Sequence, residues 1–164
     1  MSSYIDEQKC YEKNIQIRKD IFSWFQEYEF EWFVTMRIKT SSPGNTIENS
    51  ERLLKLWKRN LCKNNHIQIC YLGVIVVSWM EGFHIHLLMS GKNKYGQTLK
   101  DMDREEWERE WFKLAKKDCH IEDIYNNDGV MRYITLPKNT PSNRFELVYP
   151  SNKGLLKKCR RDNA

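Results

Sequence analysis

Two histidines, one residue apart, are the side chains of this sequence best suited to chemistry. They are His84 and His86, inside the apolar segment GFHIHLLMSG. In a β-strand, alternate side chains point to the same face and lie about 7 Å apart. A first-row divalent metal binds an imidazole nitrogen at about 2.0–2.1 Å, so the pair predicts a metal site. The alternative is a pair of half-buried histidines that only form hydrogen bonds.

The same alternation assigns the two faces of this strand. Ile85, Leu87 and Met89 fall on the face opposite the histidines, and an all-apolar set is typical of a face packed on a core. We therefore expect the histidine face to be the open side of a sheet, where a substrate can bind.

Helical and strand patterns surround this segment. Apolar spacing and capping signals predict helices over 6–28, 50–64 and 103–118, and a short helix over 126–137. Alternation and β-branched composition predict strands over 31–39, 66–80, 83–90 and 119–125. The order strand, helix, strand, strand, helix, strand is the split βαβ, or ferredoxin-like (βαββαβ), order. It predicts an α+β fold: an antiparallel sheet with helices on one face, the first and third strands in the middle, and an extra N-terminal helix.

Length and composition favour one globular domain. The chain has 164 residues, 40% of them hydrophobic, which suits a single packed core. We expect an N-terminal helix over 1–29, a core over 30–138 and a basic C-terminal extension over 139–164. The net charge of +5 fits a phosphate-rich partner without proving one.

The cysteines and the hydropathy of the sequence bear on the cellular location of the protein. The five cysteines form no CxxC pair, no signal peptide opens the sequence, and the longest apolar run, 70–80, is too short to span a bilayer. These features predict reduced thiols, no membrane partner and a cytoplasmic location.

Three segments, in order, resemble the motifs of the HUH endonucleases, which nick single-stranded DNA. FVTMRIK (33–39) resembles their first motif, HIHLLMSG (84–91) their metal motif, and HIEDIYNNDGVMRYITLPK (120–138) the strand and helix that carry the catalytic tyrosine. The resemblance covers roughly residues 30–138 and is greatest to small Rep-type proteins, the initiators of rolling-circle replication.

The resemblance implies a metal-dependent nuclease that cuts and rejoins one DNA strand. His84 and His86 would hold Mn²⁺ or Mg²⁺, which would polarise the scissile phosphate and neutralise developing charge. A tyrosine hydroxyl would attack and form a 5′-phosphotyrosine bond, which retains the energy for later rejoining.

The resemblance also implies the catalytic side chains. Tyr133 is the predicted nucleophile, with Tyr125 and Tyr95 as alternatives. Relatives often have a lysine four residues after the tyrosine. Pro137 occupies that position here, and Lys138, one residue later, is the predicted catalytic lysine.

Further ligands and DNA contacts come from other strands. His120 and Glu122 share one face of the last predicted strand and are further predicted metal ligands, although water and a DNA phosphate could complete the ion instead. Arg37, Phe33 and Arg132 are the predicted DNA contacts. An arginine would meet a phosphate, and an aromatic ring on the sheet would stack on a base.

The implied partner is single-stranded DNA at an origin or hairpin of a plasmid or virus in its host cell. Helicase and polymerase would come from the host or the virus, and a homodimer remains an open alternative. Two other functions compete with a replication initiator. One is a single-tyrosine HUH transposase, and the other is a catalytically inactive nucleic-acid-binding domain.

Overall fold

The computed structural model describes residues 28–39, 47–78 and 82–125 without interruption. Outside these stretches it describes isolated residues between 5 and 23, the residue Gly129, and the strands 144–148 and 157–158. The isolated residues between 5 and 23 are all helical, in agreement with the helix predicted there.

The described elements are seven strands and two α-helices. The strands are β1 (Tyr28–Glu29), β2 (Trp32–Arg37), β3 (Gln68–Ser78), β4 (Gly82–Lys92), β5 (Cys119–Asp123), β6 (Arg144–Val148) and β7 (Lys157–Lys158). The helices are α1 (Ile47–Asn65) and α2 (Arg104–Ala115), with a short 3₁₀ turn at Leu99–Asp101.

The main sheet has five strands in the order β5-β2-β4-β3-β6, and every neighbouring pair is antiparallel. The histidine strand β4 lies at its centre. A separate two-stranded sheet pairs β1 with β7. The fold is therefore α+β with an antiparallel sheet, as predicted.

Both described helices pack on the same sheet face. Three tryptophans join the two helices: Trp57 of α1 donates a hydrogen bond from Nε1 to the carbonyl oxygen of Trp107 at 2.9 Å, and Trp111 makes an edge-on ring contact with Trp57. The core of this layer also takes Ile85, Leu87 and Met89 from β4. Those three residues are the apolar set that the alternation assigned to the core face.

Both ends of α2 are set by local signals. Asp103 caps the helix by accepting a hydrogen bond from the backbone N–H of Glu105 at 3.0 Å. Lys116 ends the helix in a left-handed conformation. These are the usual means by which a helix satisfies its terminal backbone groups.

Two parts of the fold differ from the sequence expectations. The N-terminal helix was predicted to reach Tyr28, but Tyr28–Glu29 is a strand, because its partner Lys157–Lys158 comes from the far end of the chain. The basic extension contains β6, which was not predicted and which extends the sheet beside β3. The helix predicted over 126–137 lies outside the described residues apart from Gly129, which is helical.

None of the described helices has the length and apolar character needed to cross a membrane.

Candidate functional site

The candidate site is the face of β4 that points away from the two helices, and strand register fixes its members. Arg37 of β2 lies opposite His84, and Thr35 lies opposite His86. On the other side of β4, Val74 of β3 lies opposite His86. Directly paired residues share a sheet face, so two imidazoles, a hydroxyl and a guanidinium occupy adjacent positions. This set of residues is called the histidine face below.

The two imidazole rings are close enough to share one ion. Their centroids lie 5.0 Å apart and their planes are inclined by 82°. A cation about 2.0–2.1 Å from a ring nitrogen lies roughly 3.2 Å from the ring centre, so two such rings are separated by about 4.5 Å at a right angle and about 5.2 Å at a tetrahedral angle. The spacing of His84 and His86 falls between these values. The ring spacing therefore matches the spacing of two imidazoles that bind one first-row divalent metal.

The histidine face is less open than the sequence predicted. His84 is 6% exposed and His86 is 7% exposed, while Leu88, two positions further along β4, is 0% exposed. The expectation of an open sheet face was therefore wrong. Alternation along one strand assigns side chains to a face, but what covers that face is decided by other parts of the chain. Leu88, on the same face of β4 as the histidines, nevertheless lies outside the apolar cluster between the sheet and the helices.

Two residues of β2 hold the His86 ring from one side. The Thr35 hydroxyl oxygen lies 3.3 Å from His86 Nδ1, in a hydrogen bond whose direction depends on the tautomer of the ring. The Phe33 ring is stacked on His86 with 5.8 Å between centroids and 15° between planes. Phe33 was predicted to stack on a DNA base, but one face of its ring is turned toward His86.

Arg37, a predicted DNA contact, is exposed at the end of β2. Its backbone is fixed on two sides. The Arg37 N–H donates to the Asp118 carbonyl at 3.0 Å, and the Arg37 carbonyl accepts from Trp111 Nε1 at 2.8 Å. A fixed backbone with an exposed guanidinium opposite His84 suits a phosphate contact beside the imidazoles.

His120 and Glu122 lie on the histidine face but one strand further out. In register, His120 is opposite Thr35 and Glu122 is opposite Phe33. The two side chains are exposed and contact each other, with 2.9 Å between His120 Nε2 and Glu122 Oε1. With β2 between them, the backbones of His86 and His120 are about 9.6 Å apart, since neighbouring strands are about 4.8 Å apart.

The described residues do not assemble a complete metal site. Among them, no group of three or more histidine, cysteine, aspartate or glutamate side chains lies in a position to hold an ion. His84 and His86 form a pair, and His120 and Glu122 form another pair, but the two pairs are not joined. The roles of His120 and Glu122 as ligands therefore remain predictions.

The predicted catalytic residues Tyr133 and Lys138, and the predicted DNA contact Arg132, lie outside the described residues. The alternative nucleophiles are described: Tyr125 is 93% exposed just after β5, and Tyr95 is 71% exposed in the turn that follows β4.

The contact between Thr35 and His86 is the feature of this site that sequence reasoning missed. The alternation of β2 put Thr35 on the same face as Arg37, and that signal was available. Its pairing with His86 depended on the register between β2 and β4, which one strand alone does not reveal.

Comparison with known proteins found no matching family model, no matching curated protein and no matching solved structure. The case for a function therefore rests on the residues of the chain itself.

Proposed function

We propose that this protein is an HUH-type endonuclease that nicks and joins one DNA strand through a 5′-phosphotyrosine intermediate. The observation that carries the proposal is the adjacency of His84 and His86 on the central strand, with ring centroids 5.0 Å apart, on the face opposite the helices. A purely structural position on a buried strand face favours aliphatic side chains over imidazoles.

Strand order supports the ferredoxin-like fold that the proposal assumes. In the segment β5-β2-β4-β3, the first and third long strands of the chain, β2 and β4, are neighbours in the middle. The helices α1 and α2 connect β2 to β3 and β4 to β5. The split βαβ arrangement has this order, and β6 adds one strand at its edge.

The chemistry requires that a negative phosphodiester accept a nucleophile. His84 and His86 would hold a divalent cation, Mn²⁺ or Mg²⁺, which would supply Lewis-acid polarisation of the scissile phosphate. Arg37, opposite His84, binds a neighbouring phosphate oxygen and orients the strand.

Tyr133 is the proposed nucleophile. Its phenolic oxygen forms a bond to phosphorus as the bond to the 3′ oxygen breaks, and the phenolic proton passes to the departing 3′ oxygen or to water. Lys138 supplies positive charge near the phosphate. Rejoining reverses the step, with a 3′ hydroxyl as the nucleophile. The substrate is single-stranded DNA at a plasmid or viral origin, and host or viral helicase and polymerase complete replication.

A covalent adduct tests the proposal. The protein is incubated with end-labelled single-stranded oligonucleotides and Mn²⁺, and the products are separated on a denaturing gel. We expect a metal-dependent protein–DNA adduct that is absent in Tyr133→Phe and His84→Ala and retained in Tyr95→Phe. An adduct that survives Tyr133→Phe but not Tyr125→Phe would move the nucleophile to Tyr125.

One observation favours a second candidate function. His120, a predicted metal ligand, is paired with Glu122 on β5, with β2 between it and the central histidines. This arrangement fits a nucleic-acid-binding domain without catalysis. Binding of single-stranded DNA with no adduct under Mn²⁺ or Mg²⁺ would establish that alternative.

The transposase alternative shares the chemistry of the initiator and differs in assembly and substrate. A preference for paired element ends, together with a dimer in sedimentation, would favour a transposase. A preference for one origin hairpin would favour an initiator.

A further inference from the structure

The contact between Thr35 and His86 bears on which ring nitrogen of His86 can bind an ion. A neutral imidazole has one protonated nitrogen and one nitrogen with a lone pair, and only the latter is a ligand. Thr35 lies directly opposite His86 in the β2–β4 register, so the backbone itself brings the hydroxyl to this ring.

Distance excludes a cation on the straight line between Nδ1 and the hydroxyl. Thr35 Oγ1 lies 3.3 Å from His86 Nδ1. A cation on that line, at about 2.0–2.1 Å from the nitrogen, would lie about 1.2 Å from the oxygen, well inside any metal–oxygen bond length. A cation on Nδ1 would have to lie beside this line with the hydroxyl as a second ligand, so the protonated nitrogen of His86 decides between that arrangement and binding through Nε2.

We propose that Thr35 is a positioning residue. Its hydroxyl accepts a hydrogen bond from His86 Nδ1–H and holds the ring in the tautomer whose Nε2 has the lone pair. Histidine ligands in metalloproteins commonly donate their other N–H to an oxygen in this way. The role of Thr35 in metal binding rests on the proposed function. The tautomer of His86 is a property of the metal-free protein and can be tested without DNA.

Phe33 and Thr35 fix different properties of the ring. Stacking on Phe33, with 15° between the planes, restricts the plane of the His86 ring. It does not select an edge, because a half-turn of the ring exchanges Nδ1 with a carbon and leaves the plane unchanged. The hydroxyl of Thr35 selects the edge, since only the nitrogen edge can form the hydrogen bond.

Nitrogen-15 NMR of the histidine rings in the metal-free protein tests the tautomer. At a pH well above the ordinary histidine pKa of about 6.5, we expect the proton of His86 on Nδ1. Thr35→Val removes the hydroxyl from a β-branched side chain of similar shape, and it should give a mixture of tautomers. Thr35→Ser keeps the hydroxyl and should restore the Nδ1–H form.

A wild-type protein with the His86 proton on Nε2 would overturn the proposal. So would a tautomer that is unchanged in a folded Thr35→Val variant. The wild-type measurement decides the question even if Thr35→Val does not fold.

Calorimetric titration with Mn²⁺ forms the second arm. We expect Thr35→Val to weaken Mn²⁺ binding by about 10–100-fold, as loss of such a partner usually does, with rescue in Thr35→Ser. Equal Mn²⁺ affinity in wild type and a folded Thr35→Val would overturn the positioning role. If the wild type shows the Nδ1–H tautomer and binds no Mn²⁺, the proposed nuclease function fails, while the assignment of the tautomer to Thr35 is decided by the NMR arm alone.

Discussion

The two faces of β4 contain opposite kinds of side chain within the same few residues. Toward the helices, Ile85 and Leu87 are 0% exposed in a cluster that includes four tryptophans. Toward the other side, His84 and His86 are nearly as buried, yet their neighbours in register on β2 are an arginine and a threonine. Burial is therefore similar on both faces, and the polarity of the buried groups differs.

This difference separates packing from a candidate site. On the helix face, two tryptophans use their indole N–H groups to join elements: Trp57 donates to a backbone carbonyl of α2, and Trp111 to one of β2. Such contacts satisfy buried groups and fix the layers. On the histidine face, two titratable rings contact each other, which adds little to packing and is what metal binding requires.

The largest expected effect is on the helix face. Trp107 is 0% exposed and makes edge-on contacts with Trp32 and Trp57 at 5.3 and 5.5 Å between ring centroids. Trp107→Ala should lower the free energy of unfolding by about 3–5 kcal/mol, measured by urea denaturation. Phe112→Ala is the matched control on the same helix, because Phe112 is 56% exposed and its loss should stay within about 0.5 kcal/mol. Equal losses in the two variants would contradict the assignment of the core to this face.

Metal should stabilise the protein through the histidine face. A ligand that binds only the folded state at 100 times its Kd adds about 2.7 kcal/mol, so Mn²⁺ should raise the melting temperature and EDTA should reverse the rise. His84→Ala should abolish the effect. His66→Asn is the control, since His66 is exposed at the end of α1 with φ of 50°, and asparagine tolerates that backbone. Loss of the Mn²⁺ effect in His66→Asn would place the site elsewhere.

The close contact between β3 and β4 depends on glycine at position 73, which has no side chain. A Cβ at Gly73 would lie 2.2 Å from the His86 carbonyl oxygen and 2.4 Å from Leu87 Cδ2. Gly73→Ala should therefore force the strands apart and cost about 1–3 kcal/mol of stability. Gly96→Asn is the control, because a Cβ at Gly96 meets nothing within 4 Å and asparagine adopts its positive φ readily. A stable Gly73→Ala protein with unchanged Mn²⁺ binding would show that the two faces are not coupled through this backbone contact.

The smallest expected effect is the contribution of Cys119 to the pH dependence of stability. Burial raises the pKa of the Cys119 thiol, and the nearby Glu108 and Asp118 raise it further. Below the ordinary thiol pKa of about 8.5, both the folded and the unfolded chain hold this proton, so its contribution to stability is complete. Above that value the unfolded chain loses the proton first, and stability should fall by at most about 1.4 kcal/mol per pH unit. Urea denaturation between pH 8 and pH 10 should show a shallower decline in Cys119→Ala, and an equal decline in both proteins would contradict the raised pKa.

Part of the candidate site could be predicted from local pattern alone. His84 and His86 share a face because alternate residues of any strand do, and the structure confirms that they are adjacent. Arg37 and Thr35 share one face of β2 for the same reason. The strand positions were also predicted to within a few residues, because alternation and β-branched runs are set within each segment.

Other parts depended on segments far apart in the chain. The strand order puts β2 between β5 and β4 and so separates His120 and Glu122 from the central histidines, which strand alternation alone did not indicate. The strand β6 was read as a basic extension, since RFELV has only weak local strand signal and is ordered by pairing with β3.

The sequence by itself determined the order of helices and strands and which side chains of each strand share a face, because backbone geometry repeats every two residues in a strand and every 3.6 in a helix. Only the tertiary structure decided that the histidine face is buried, that Thr35 contacts His86, and that a fifth strand extends the sheet beside β3. These features depend on the register between strands and on which segments bury the histidine face. Both bring together residues that are distant in sequence, and neither leaves a periodic signal in one segment alone.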